Sequence, residues 1–121
     1  MANTFKVVNF AAEPASAGTP YVMYTVASST TTVVLGLVLS NINTSAVTAE
    51  VELVSTTSSR GGVNNVANGT SFLIKDVSIP TGSSLEILSG GKVVLEAGDK
   101  IQIDCSVADK LSGTLSIMEI T

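Results

Sequence analysis

Ile101, Ile103, Cys105 and Val107 alternate with Lys100, Gln102, Asp104 and Ser106, a strict period of two that only an extended strand with one buried face satisfies. The same signal recurs along the chain. Val47, Ala49, Val51 and Leu53 alternate with Thr48, Glu50, Glu52 and Val54, which sets two carboxylates on the face away from the apolar one. Further strand signals lie at Thr4 to Phe10, Tyr21 to Ala27 behind Pro20, and Phe72 to Ile79, and then at Ser84 to Leu88, Lys92 to Glu96 and Leu111 to Ile120. Nowhere do ten or more residues show helical spacing. The expectation is an all-β fold: a two-sheet β-sandwich, jelly-roll-like, with eight or nine short antiparallel strands and essentially no helix.

Two strands break the simple alternation. Thr31 to Leu39 is β-branched and apolar on both parities, which fits a strand in the middle of a sheet, covered either within the subunit or between subunits. Leu111, Leu115 and Ile117 share one parity while Met118 and Ile120 take the other, so either a bulge shifts the register or both faces are covered. Turn residues punctuate the strands: Pro80 with Gly82, Gly90-Gly91, and Ala97-Gly98-Asp99, where Asp99 reads as a turn residue bonding nearby backbone donors. Residues 55–71, rich in Ser, Thr, Asn and Gly and containing Gly61-Gly62 and Asn68-Gly69, read as a long exposed loop or loose hairpin. Residues 1–20, with the small-residue stretch Ala11 to Thr19, read as an extended N-terminal arm.

A chain of 121 residues fits one domain, 1–121. Apolar residues make up 45% and charged ones 13%, so the surface is coated mainly by neutral polar side chains and is short of solvating charge. Partners that cover part of that surface are the natural expectation, and a homo-oligomer follows. The six basic residues are scattered and the net charge is −4, which disfavours nucleic acid. The longest nearly apolar run, Val33 to Leu39, is too short to cross a bilayer, and the start Met1 to Lys6 lacks the pattern of a secretory signal. A chain made in the cytoplasm, with no membrane partner, is expected. Cys105 sits in an alternating apolar set and reads as a buried small hydrophobe.

Chemistry has little to work with. The chain has no histidine, which removes the usual general base, the common nucleophile pairs and the commonest metal ligand. Glu50 and Glu52 share a strand face, but same-face neighbours make a solvated stripe more often than an acid and nucleophile pair. Asp76, Glu86, Glu96, Asp99, Asp104, Asp109 and Glu119 are spread singly, without the loop spacing calcium needs. Tyr21, Tyr24, Phe5, Phe10 and Phe72 are the aromatic residues, expected in the core and not as sugar platforms. Asn43-Thr44-Ser45 and Asn68-Gly69-Thr70 match the glycosylation sequon but read as turns, and Gly61-Gly62 lacks phosphate-loop spacing. No catalytic, cofactor-binding or metal-ligating residue is assigned, and no enzymatic activity is expected.

Three segments carry a resemblance. They are Tyr24-Thr25-Val26 with Thr31 to Asn41; Phe72 to Leu85, reading FLIKDVSIPTGSSL; and Lys92 to Asp99, reading KVVLEAGD, with the ending Leu115 to Ile120. In this order the chain from Phe5 onward resembles small β-rich virion structural proteins of tailed bacteriophages, those of marine and cyanobacterial hosts in particular. The resemblance implies a non-enzymatic protein of the virion, first a capsid decoration or cement protein bridging the major capsid protein, with a trimer favoured as the homo-oligomer. A tail, neck or baseplate component is the alternative, and a host-surface carbohydrate-binding module using Tyr21 or Tyr24 ranks below both. It transfers no site residues.

Overall fold

The computed structural model describes residues 2–55, 69–88 and 91–121. Among them lie nine strands and no helix: β1 (Asn3–Glu13), β2 (Tyr21–Thr25), β3 (Thr31–Asn41), β4 (Val47–Val54), β5 (Thr70–Ile79), β6 (Ser84–Glu86), β7 (Val93–Leu95), β8 (Lys100–Cys105) and β9 (Leu111–Ile120). They form two antiparallel sheets. One has the order β1-β9-β3-β6, with β7 also paired to β3; the other has the order β2-β8-β4-β5. The pairings nest: β4 with β5 innermost, then β3 with β6 and β7, then β2 with β8, and β1 with β9 outermost. Successive pairs of that long hairpin alternate between sheets, and β9 closes on β3 while β8 closes on β4. This is the winding of a jelly roll.

Alternation explains the core. Ile101, Ile103 and Cys105 of β8 and Val47, Ala49 and Val51 of β4 are buried, while the residues between them face out. Opposite them stand Leu37 and Leu39 of β3 and Leu115 and Ile117 of β9, each at most 1% exposed. Two-sided burial of this kind supplies the hydrophobic stabilisation that offsets the ordering of the chain. Gly113 of β9 is required by a close approach: a Cβ there would lie 2.5 Å from the Phe10 ring, its partner across the ladder.

The two irregular strands resolve in different ways. In β3 the register shifts between Val34 and Gly36, so Thr32 and Val34 face inward before the shift and Leu37 and Leu39 after it. The apolar character on both parities of β3 therefore comes largely from a bulge. Strand β9 keeps its parity throughout: Leu111, Gly113, Leu115 and Ile117 are buried, and Met118 and Ile120 lie half-buried on the outer face. Neither reading offered for β9 by its sequence holds, because the bulge is in its neighbour.

The N-terminal segment keeps the strand expected at Thr4 to Phe10 but departs from the extended arm expected over residues 1–20. Residues 3–13 are a full strand of the sheet, since Val8 and Phe10 supply inward apolar side chains, and not an extended arm. The stretch that follows is pinned down: Gly18 N–H donates to Asp104 Oδ1 at 3.1 Å, Asp109 N–H to the Pro14 carbonyl at 2.8 Å, and Ser16 bridges Thr19. The expected loop at 55–71 falls largely on 56–68, outside the described residues; its flanks close where Ser55 N–H meets the Gly69 carbonyl at 2.7 Å, and β5 begins at Thr70. Of the expected turns, those at Pro80 with Gly82 and at Ala97-Gly98-Asp99 are present, with Gly82 and Gly98 at φ of 72° and 88°, and the one at Gly90-Gly91 falls partly outside the described residues.

Candidate interaction surface

The outward faces of the two sheets differ in chemistry, and ladder register shows how. Residues directly opposite one another across an antiparallel pair share a face. On the four-stranded sheet, Glu50 stands opposite Asp104, and Glu52 lies between Gln102 and Phe72. Lys75 Nζ reaches Glu50 Oε1 at 3.1 Å and Asp76 Oδ2 at 3.8 Å, and lies 4.6 Å from the Phe72 ring centroid. Gln102 Nε2 donates to Glu52 Oε2 at 3.0 Å. This face is a polar lattice of short cross-strand contacts.

The five-stranded sheet turns a different face outward. Phe5 stands opposite Met118, Met118 opposite Val33, and Val33 opposite Val94, so one apolar row crosses β1, β9, β3 and β7. Phe5 and Val94, at its two ends, are 72% and 61% exposed. Val7, 66% exposed, and Leu35, at the bulge, extend the row, with Ile120 on its other flank. Among the described strand positions facing outward on this sheet, Glu86 alone carries a charge. A contiguous apolar row on a solvent-facing sheet is the signature of a contact surface, whereas scattered apolar residues are ordinary.

The acidic residues do not form a reactive group. Glu50, Asp76 and Asp104 border a shallow cavity of about 210 Å³ with Gly18, Thr48 and Ser106. Lys75 engages the first two, and Asp104 Oδ1 accepts from the Gly18 and Cys105 amides at 3.1 and 2.8 Å. Among the described residues no three His, Cys, Asp or Glu side chains are grouped to hold a metal. Asp99 is a turn residue: its Oδ2 accepts the Glu96 N–H at 3.0 Å while its own N–H donates to the Glu96 carbonyl. Cys105 is buried, and burial pushes its thiol pKa up, away from thiolate chemistry. Asn43 lies in the β3–β4 turn, its N–H donating to Asn41 Oδ1. Asn68 and Gly61-Gly62 lie outside the described residues.

No family model matches the chain, and no curated protein matches it. A solved structure described as Bacillus endospore appendages, a novel family of disulfide-linked pili, is similar over 99% of this chain and 87% of its own, at 18% identity and a TM-score of 0.47. A likeness at that level bears on neither partner nor activity.

Both tyrosines that a sugar platform would use are half-buried and packed against the core. The Tyr21 ring meets Phe10 edge to face, centroids 5.3 Å apart. Tyr24 ties the two sheets together: its hydroxyl lies 2.8 Å from Thr32 Oγ1 and donates to Glu119 Oε2 at 2.6 Å, and Lys6 Nζ holds Glu119 Oε1 at 2.7 Å. Burial, then the Glu119 carboxylate, push the Tyr24 pKa up to about 12. Lys6 first, and Tyr24 second, hold Glu119 below its usual range. A carboxylate depressed in the folded state contributes stability above its unfolded pKa, about 4.3, and that stability is lost as pH falls through the folded value. Tyr24→Phe is therefore expected to cost about 1–2 kcal/mol at neutral pH and to flatten the acid limb. Urea midpoints at pH 7 and pH 3 check this; an unchanged wild-type-to-variant gap at the two values would count against the linkage.

Sequence reasoning missed the apolar row because it assigned every aromatic residue to the core. Phe10 is buried as expected, but Phe5 and Phe72 are 72% and 47% exposed. Parity within β1 carries the missing signal: Phe5 and Val7 share it with Asn3 and Asn9, against Val8 and Phe10.

Proposed function

We propose that the chain is a non-enzymatic structural subunit that works inside a larger assembly, through the outer face of its five-stranded sheet. The observation that carries this reading is the contrast between the two outward faces: an apolar row of Phe5, Met118, Val33 and Val94 on one, and charged cross-strand contacts on the other. Leaving that row in water forgoes the burial energy of several side chains, roughly 25 cal/mol per Å² of apolar area, and a covering surface recovers it. A rigid β module with one apolar face, whose Tyr24 hydroxyl and Glu119 carboxylate are already bonded to each other, suits repeated contact better than turnover.

The sequence resemblance supplies the assembly. In that reading the protein is part of a tailed-phage virion, a capsid decoration or cement protein whose apolar face lies against capsid protein or neighbouring copies and resists the pressure of packaged DNA. Fold by itself does not decide this, since jelly rolls host many roles. The deciding experiment is a symmetry-averaged electron cryomicroscopy map of the source particle. The expected result is density for this chain repeated over the capsid lattice with its five-stranded sheet facing a neighbour. Density confined to the tail axis would move the protein to the tail, neck or baseplate, and absence from the particle would remove the virion reading.

A further inference from the structure

The four lateral edges of the sandwich are not equally protected. An unpaired edge strand offers a row of free N–H and C=O groups, and soluble proteins blunt such edges with bulges, charges or short strands. Strand β5 shifts register twice against β4 and carries Lys75 and Asp76, the latter at a φ of 51°. Strand β2 has five residues and its own register shift, and β6 and β7 have three residues each. Strand β1 has eleven residues and runs in unbroken register with β9 from Asn3 to Phe10. Among the described residues it is the edge left open.

Its free groups can be assigned. Ala2 and Thr121 exchange both backbone hydrogen bonds, at 3.1 and 3.0 Å. In an antiparallel ladder such pairs alternate with non-bonded ones, so Thr4, Lys6, Val8 and Phe10 spend their backbone groups on β9, and Asn3, Phe5, Val7 and Asn9 point theirs away from it. None of these four is charged. Two copies of a chain of net charge −4 can therefore meet along this strip without like charges in the ladder itself.

We propose that β1 pairs antiparallel with β1 of a second copy, about a two-fold axis at Val7, joining the two five-stranded sheets into one. The register follows from the residues. Bonding the outward positions to one another allows the axis to pass through any residue of the unbroken stretch Asn3–Phe10, but an axis at Val8 engages only residues 6–10 of it and one at Thr4 fewer. An axis at Lys6 sets two ammonium groups face to face, which is destabilising, and an axis at Phe5 engages only residues 3–7 of the described strand. An axis at Val7 engages residues 4–10, with Phe5 opposite Asn9 and Lys6 opposite the aliphatic Val8. Lys6 keeps its 2.7 Å contact with Glu119, and the outer apolar row of one copy continues toward that of the other. Such a contact is isologous and gives a pair; the trimer favoured by the family resemblance would need another surface. This deepens the structural-subunit reading, on which it rests for the expectation that copies meet, and it is tested without the particle.

The test uses charge at the axis. Val7→Lys and Val7→Glu alter an exposed side chain on the face away from the core, so both variants stay folded, with the urea midpoint the wild type shows once diluted to the single chain. In sedimentation equilibrium the wild type is expected at twice the 12.3 kDa chain mass, each variant alone at the single mass, and their equimolar mixture back at twice it. A wild type at single mass, an oligomer that both variants retain, or a mixture that stays single would overturn the proposal. None of these results alters where the chain sits in a particle map, so failure here and failure of the virion reading are told apart.

Discussion

Asn41→Asp, a change of one amide to one carboxylate, is expected to destabilise the protein by about 3–5 kcal/mol at neutral pH, the usual cost of an uncompensated buried charge. Asn41 closes β3 and is 4% exposed. Its Nδ2 donates to the Ile79 carbonyl at 2.8 Å and the Ser45 carbonyl at 3.0 Å, while Oδ1 accepts the Asn43 N–H at 2.8 Å. Two acceptors on one side and a donor on the other fix which way the amide lies. The residue thus holds the β3–β4 turn in shape and ties it to the end of β5. An aspartate has no donor for the two carbonyls and turns a negative charge toward them. Its folded pKa must rise above the unfolded value of about 3.9. The folded state then binds more protons than the unfolded one between those values, so the variant loses stability as pH rises through that window and recovers it toward acid. Urea unfolding of both proteins from pH 3 to pH 7 reads this directly. A gap that stays constant or widens toward acid would show that the side chain is not held between those carbonyls.

Much of this fold is legible in local pattern because each strand carries its own record of burial. The alternation of β8 and β4 names the core positions Ile101, Ile103, Val47, Ala49 and Val51 correctly. The turns at Pro80 to Ser83 and Glu96 to Asp99 are equally local, set by glycines that accept positive φ. What local pattern withholds is pairing. The contact of β1 with β9 joins the two ends of the chain, and nothing within Asn3–Glu13 says which strand will accept it. Thr4 to Phe10 reads as a strand, but with no partner named and the small residues Ala11 to Thr19 behind it, the segment as a whole looks like an arm until its place beside β9 is known.

The candidate surface was hidden for a related reason. Val33, Val94, Met118 and Phe5 are far apart in sequence, and each taken alone passes for core. Only the ladder places them in one row. The bulge at Val34 to Gly36 adds to the concealment, because it switches parity inside β3 and makes a strand with one inward face read as covered on both. The polar face, in contrast, was visible early: Glu50 and Glu52 share a parity, and their engagement by Lys75 and Gln102 is what same-face neighbours on an exposed sheet do.

Leu115 and Met118 of β9 separate the two roles of the five-stranded sheet. Leu115 is fully buried, opposite Val8 on β1 and Leu37 on β3, on the face that meets the other sheet. Truncating it removes the transfer energy of three carbons and leaves a cavity that two flanking strands, each held by its own ladder, cannot close. Leu115→Ala is expected to cost about 2–5 kcal/mol, a lower urea midpoint with little change in slope. Met118 points the other way, half-buried between Phe5 and Val33. Met118→Ala is expected to cost about 1 kcal/mol or less in the isolated chain, within the range of surface changes, yet to weaken binding wherever the outer row is covered. Thermal and urea unfolding measure the first effect, and occupancy on the assembled particle or on its purified partner measures the second. Equal losses of stability in both variants would mean that the two faces of β9 are buried alike within one subunit, leaving no apolar surface for a partner to cover.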